Sequence, residues 1–68
     1  MYKEKFAERL RELIGEESVS SVAKKVGLPQ QTLSRYLLCQ REIGIENLCR
    51  LAAYFGEDLD YLTGMKDY

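Results

Sequence analysis

Four polar side chains between residues 30 and 35 recur with the spacing of one helix face. At about 100° per residue, Gln30, Gln31, Ser34 and Arg35 fall within an arc of roughly 140°. Glutamine can pair with the N6 and N7 edge of adenine, and arginine with O6 and N7 of guanine. A helix with these groups on one side has the donors and acceptors to read bases in the major groove. On this helix alone, an ordinary polar surface gives the same pattern.

Residues suited to catalysis or metal binding are few. The chain contains no histidine, the side chain that most often acts as a base near neutral pH. Its two cysteines, Cys39 and Cys49, lack the further ligands that a structural zinc site requires. We expect them to be packed free thiols, as is usual in the cytosol. The sequence therefore favours a protein that is not an enzyme and that uses no metal or cofactor.

Charge is distributed unevenly along the 68 residues. Residues 1–17 carry −1, residues 18–41 carry +4 without any acidic residue, and residues 42–68 carry −4. A nearly neutral protein can therefore present a positive surface to phosphates, although chance clustering on solvated helices gives the same totals. The longest uncharged run has nine residues, whereas a membrane span needs about 20 apolar ones. We expect one cytoplasmic domain, residues 1–68, without a signal peptide.

Apolar residues at helical spacing predict five short helices and no strand. The expected helices are residues 3–14, 19–26, 30–38, 45–55 and 59–63. Ser18 and Asp58 are suited to cap the starts of the second and fifth helices. Four glycines follow predicted helix ends, where a left-handed residue is often needed: Gly15, Gly27, Gly56 and Gly64.

The same spacing predicts which side chains face the core. In the first two helices they are Phe6, Leu10, Leu13, Ile14, Val19, Val22, Ala23 and Val26. In the third and fourth they are Leu33, Tyr36, Leu37, Ile45, Leu48, Cys49, Leu51, Ala52 and Phe55. Charged residues, Arg9 among them, are expected on the outer side of the first helix. The prediction is an all-α fold, a compact five-helix bundle.

Two blocks of the sequence resemble a known family. Residues 19–38, VSSVAKKVGLPQQTLSRYLL, place the small residue Ala23 where two helices would cross and Gly27 in the turn between them. This block is similar to the helix-turn-helix of the phage repressor and Cro family, the XRE-like or lambda-repressor-like proteins. Residues 45–64 resemble the fourth and fifth helices of the same family. The resemblance implies a helix-turn-helix formed by helices 2 and 3 and a role in transcriptional regulation.

The resemblance also implies roles for individual residues. Positions that read bases in the family correspond here to Gln30, Gln31, Ser34 and Arg35. Positions that hold the DNA backbone correspond to Thr32, Gln40 and Arg41. Leu38 shares the polar arc of the third helix, where it would contact a thymine methyl group or simply fray. Lys24 and Lys25 match solvated positions and are expected to contribute only diffuse positive charge.

The chain departs from the family pattern in several places. Val19 stands where many members carry a phosphate-binding glutamine, so that contact is expected to be absent. Pro29 replaces the serine or threonine that usually caps the recognition helix. Cys39 replaces a common glycine, and Ile43 and Gly44 replace a typical proline and serine. The loop after the recognition helix is therefore expected to follow a different path.

The expected partner is double-stranded DNA, as a two-fold symmetric operator bound by a homodimer. Apolar residues within 59–68 are candidates for the dimer contact, although closing the core would use the same side chains: Leu59, Tyr61, Leu62, Met65 and Tyr68. A second hypothesis is a protein-interaction module of the same fold, such as an antitoxin-like or adaptor partner. The acidic pI and Val19 favour it, whereas the polar arc of the third helix favours DNA.

Overall fold

Glycines and capping side chains divide the chain into short helices. The computed structural model describes residues 2–65, and this part of the chain forms five α-helices and no strand. They are α1 (Tyr2–Ile14), α2 (Val19–Val26), α3 (Gln30–Leu37), α4 (Ile45–Phe55) and α5 (Leu59–Thr63). The predicted all-α, five-helix fold is confirmed, with boundaries that differ from the expected ones by at most one residue.

Both predicted N-caps are present. The Ser18 hydroxyl accepts a hydrogen bond from the Ser21 amide at 3.1 Å, and the Asp58 carboxylate accepts one from the Tyr61 amide at 2.9 Å. Each bond satisfies an amide that the first turn of a helix leaves without a partner. Gly27, which ends α2, has φ +88° and donates its amide to the carbonyl of Ala23. A residue with a Cβ would be strained in this left-handed conformation.

One apolar core connects all five helices. Its most deeply buried large side chains are Leu10, Val22, Leu33, Tyr36, Leu51 and Leu62. The α1 helix packs against α3 and α5, while α2 packs against α3 and α4. Each helix is too short to be stable alone, so burial of its apolar face in this shared core holds it in place.

Two predicted core positions on α4 are wrong. Ile45 is 78% exposed, and Cys49 is exposed as well. Leu48, Leu51 and Ala52 form the buried face instead. Eight of the eleven residues of α4 are apolar and they surround the helix, so they cannot all face inwards, and the packing of the neighbouring helices decides which of them do.

Arg9 was expected among the solvated charges of α1, and this prediction is also wrong. The residue is only 7% exposed. Its guanidinium donates a hydrogen bond to the carbonyl oxygen of Tyr61 at 2.9 Å and lies 4.4 Å from the centre of the Tyr61 ring. The delocalised charge stacks favourably on an aromatic face, so this arginine joins α1 to α5 rather than facing water.

Replacing Arg9 with alanine should destabilise the fold by about 2 kcal/mol, because a charged hydrogen bond and a cation–π contact are lost together. Urea unfolding followed by circular dichroism measures this change. The matched control is Arg35→Ala, also on a helix but exposed, which should change stability by less than about 0.5 kcal/mol. Equal effects of the two variants would show that the Arg9–Tyr61 contact contributes no stability.

Candidate nucleic-acid interface

The exposed side of α3 carries the four predicted base-reading residues. Gln30, Gln31 and Arg35 are exposed, and Ser34 is half-buried. All four line one shallow concavity, together with Leu38 and Gln40 from the end of the helix and the following loop. The structure therefore brings the predicted base-reading residues together with Leu38, which was expected on the same arc, and adds the side-chain amide of Gln40. None of the described residues that line this concavity is acidic.

The opposite side of α3 is buried in the core. Leu33 and Tyr36 are 0% and 1% exposed. The Tyr36 ring meets the edge of Phe6 with 6.0 Å between ring centres, and its hydroxyl accepts a hydrogen bond from the Asn47 side-chain amide at 3.0 Å. These contacts fix the rotation of α3 against both α1 and α4. The role of Asn47 was not predicted, because nothing in the sequence indicates that this polar residue of α4 bonds to Tyr36.

The turn between α2 and α3 is held by backbone hydrogen bonds. The amides of Gly27 and Leu28 both donate to the carbonyl oxygen of Ala23, each at 2.9 Å. Ala23 is itself buried, as expected for a small residue at a helix crossing. Arg50 reaches over from α4 and donates to the Gly27 carbonyl at 3.4 Å. The angle between the two helices is thus set by the turn and by α4.

A second arginine secures the other end of α3. The Arg11 guanidinium, on α1, donates to the carbonyl oxygen of Leu37 at 2.8 Å. A cation at this point is favourable, because the last carbonyls of a helix lack backbone partners and carry partial negative charge. Sequence reasoning placed Arg11 among the solvated charges, whereas it braces the helix that carries the candidate site.

Cys39 follows α3 in a left-handed conformation. Its φ is +59°, and among the described residues it is the one non-glycine with a positive φ. The conformation lets the Gln40 amide donate to the Arg35 carbonyl at 2.9 Å. Glycine adopts this φ without strain, whereas the Cβ of cysteine disfavours it. The Cys39 thiol is half-buried and donates weakly to the Lys3 carbonyl at 3.8 Å.

The residues predicted to hold the DNA backbone are less close together. Gln40 is exposed and lines the concavity on α3. Thr32 is half-buried and does not line it, and exposed Arg41 instead lines a separate cavity beside Lys3. Val19 packs partly buried against the core, so it holds α2 in the fold. Pro29 provides no side-chain hydrogen bond to cap α3, as its residue type predicts.

Positive charge near α3 comes from fewer groups than the sequence total suggests. Lys25 forms an ion pair with Glu17 at 3.0 Å, and this hydrogen bond with its charge attraction raises the pKa of Lys25 above its usual value. Both side chains are exposed, so the pair reduces the positive charge that Lys25 presents without removing it. Arg35 is the cation that lies within the concavity, and Lys24 is exposed elsewhere on α2.

The described residues lack two features that other functions would need. Residues 2–65 contain no group of three or more histidine, cysteine or carboxylate residues placed to hold a metal ion. No helix within the same range has both the length and the apolar character needed to cross a bilayer.

Two short helices joined by a tight turn, the second with a buried face and an exposed polar face, define a helix-turn-helix protein. A family model described as helix-turn-helix matches residues 10–62, and the chain belongs to that XRE-type, lambda-repressor-like family. The family comprises DNA-binding regulators and is not enzymatic. Searches of curated proteins and of solved structures found no significant match.

The left-handed backbone at Cys39 predicts the outcome of two substitutions. Cys39→Ala removes the thiol but keeps the strain, whereas Cys39→Gly removes both. The glycine variant should therefore be about 1 kcal/mol more stable than the alanine variant, because a Cβ is disfavoured at this φ. Thermal and urea unfolding of both variants measure the difference. Equal stability of the two would indicate that the loop relaxes out of the left-handed conformation.

Proposed function

We propose that this regulator binds double-stranded DNA sequence-specifically and acts as a transcriptional repressor in the cytoplasm. The observation that carries the proposal is the concavity on α3, where two glutamines, a serine and an arginine lie together and no described lining residue is acidic. Their hydrogen-bonding groups suit the edges of adenine and guanine in the major groove. Because α3 is anchored on its other side by Leu33 and Tyr36, these groups are presented on a rigid surface.

In this mode α3 enters the major groove while α2 lies across the DNA backbone. Gln30, Gln31 and Arg35 select bases, and Ser34 contacts a base or a phosphate between them. The exposed side chain of Leu38 lies at the edge of the same concavity, where it meets a thymine methyl group. Thr32, Gln40 and Arg41 contact phosphates and so fix the register of the protein on the duplex.

A selection from a randomised duplex library tests the proposal. The wild-type chain should enrich a two-fold symmetric consensus, and the Gln30/Gln31/Arg35 triple-alanine variant should not. Each single substitution should cost about 1–3 kcal/mol on the selected site and relax the preference at one base pair. Lys24→Ala is the matched control for Arg35→Ala, since it removes one exposed positive charge outside the concavity and should leave the consensus unchanged.

Arg41→Ala gives the contrasting result expected of a phosphate contact. It should weaken binding to every duplex by a similar factor. It should also reduce the slope of log affinity against log salt concentration by about one. A triple-alanine variant that selects the wild-type consensus would refute base reading by α3. Failure of both proteins to enrich any sequence would instead favour the protein-interaction module, the second hypothesis raised by the acidic pI.

We also propose that the regulator dimerises through residues 59–68. Exposed apolar side chains support this contact: Leu59 is 39% and Met65 is 67% exposed. Leu62 is fully buried and Tyr61 packs beside Arg9, so these two close the core, and Tyr68 lies outside the described residues. A single helix-turn-helix contacts few bases, and dimers of this class read paired half-sites about 34 Å apart.

Two matched substitutions test the dimer contact. Leu59 and Ile45 are the first residues of α5 and α4, both are exposed, and aspartate is acceptable at either helix start. At micromolar concentration the wild-type chain should sediment at twice its monomer mass, Leu59→Asp at the monomer mass, and Ile45→Asp as wild type. A monomeric wild-type chain, with or without DNA, would overturn dimerisation. Dissociation by Ile45→Asp alone would place the contact on α4.

A further inference from the structure

A second cavity, of about 280 Å³, opens beside the loop that joins α3 to α4. Residues from α1, that loop, α4 and α5, together with Met65, line it: Lys3, Phe6, Arg41, Glu42, Ile43, Leu48, Thr63 and Met65. None of these residues lines the concavity on α3. The two features meet only where Gln40, in the concavity, is followed in the chain by Arg41, in the cavity. The cavity is therefore a separate feature with its own chemistry.

The inner surface of this cavity is apolar. Phe6 and Leu48 are buried core residues, and Ile43 is half-buried against the same core. The hydroxyl of Thr63 already donates to the carbonyl oxygens of Leu59 and Asp60, at 2.9 and 3.2 Å, so its proton is used within α5. Apolar walls of this kind favour a hydrocarbon or aromatic group over water.

Apart from Thr63, the polar side chains among the described residues that line the cavity are charged, two positive and one negative. Lys3 and Arg41 are positive, whereas Glu42 is negative. Within residues 2–65, no ion pair joins either cation to an acidic side chain. Two cations without a partner beside an apolar wall match a molecule that has a hydrocarbon body and a single negative end.

We propose that this cavity binds a small apolar monocarboxylate, with the hydrocarbon body against Phe6, Ile43 and Leu48 and the carboxylate between Lys3 and Arg41. The volume lies just below the range of about 300–1,000 Å³ typical of small-molecule sites, which suits a medium-chain or aromatic acid rather than a long lipid. Glu42 limits the affinity, because its negative charge on the cavity wall repels the carboxylate of the ligand.

Such a ligand would regulate DNA binding, an effect that rests on the proposed function. Arg41 is both a cavity residue and the proposed phosphate contact. A bound carboxylate holds its guanidinium and compensates its charge, so less of that charge is available to the DNA backbone. The ligand therefore acts as an inducer that weakens DNA binding by the same interaction that Arg41→Ala removes.

Titration of the full chain with octanoate, followed by NMR chemical shifts in the absence of DNA, tests the site directly. Octanoate should shift the resonances of Phe6, Ile43 and Leu48, and octylamine, of the same chain length, should not. Lys3→Met should weaken octanoate binding about two- to fivefold, as loss of one exposed ion pair implies. Glu42→Gln should strengthen it by a similar factor. These opposite changes in octanoate affinity distinguish a site that recognises an anion from one that binds any apolar molecule.

Three results would overturn the site. Octanol binding as tightly as octanoate would show that the cations contribute nothing. If Lys3→Met and Glu42→Gln both bind octanoate as tightly as the wild-type chain, the charges that line the cavity likewise contribute nothing. Absence of binding to a chain with a wild-type circular dichroism spectrum would show that the cavity is closed to ligands, for instance by the chain's own residues after Met65. As a further check, Ile43→Trp should fill the cavity and abolish binding.

The regulatory effect has a separate readout. Saturating octanoate should lower the affinity of the wild-type chain for its selected duplex and should have no further effect on Arg41→Ala. Octanoate binding without any change in DNA affinity would overturn the inducer role while leaving the site intact. If the chain binds no duplex at all, the proposed function fails, but the octanoate titration still decides whether the site exists.

Discussion

The position of the candidate DNA-binding surface depends on the burial of Leu33 and Tyr36. The α3 helix has only eight residues, too few to persist in water without tertiary contacts. Its inner face supplies those contacts, through an edge-on ring contact to Phe6 and a hydrogen bond from Asn47. Rotation of α3 about its axis would expose Tyr36 and bury Gln31 or Arg35, at a cost of several kcal/mol. The same two side chains that stabilise the fold therefore decide which groups face outwards.

Backbone constraints explain why so much of this arrangement was predictable from the sequence. Caps such as Ser18 and Asp58 and the left-handed glycine Gly27 act within a few residues of themselves, so their effect can be inferred locally. The separation of the two faces of α3 follows equally from its periodicity. The shared location of the four polar residues and Leu38 was therefore predicted, and the structure adds Gln40 beside them.

Contacts between distant helices were not predictable in the same way. Arg9 has a partner 52 residues away, and nothing near it in the sequence distinguishes it from the solvated charges of α1. Asn47 and Arg11 likewise bond to α3 from other helices. On α4 the apolar residues are too many for one face, so periodicity did not separate the exposed Ile45 from the buried Leu48. These features depend on how the helices pack, which a single sequence does not encode locally.

The pairing of α1 with α5 has a consequence for the order in which the protein forms during synthesis. The α1 helix leaves the ribosome before α5, yet it depends for much of its burial on Tyr61 and Leu62 of that later helix. Until α5 has emerged, Arg9 lacks its aromatic partner and the apolar side of α1 remains in contact with water. The nascent chain is then at risk of aggregation. Burial of α1 is consequently complete only after α5 has been synthesised, and α3 acquires its fixed orientation in the same cooperative step.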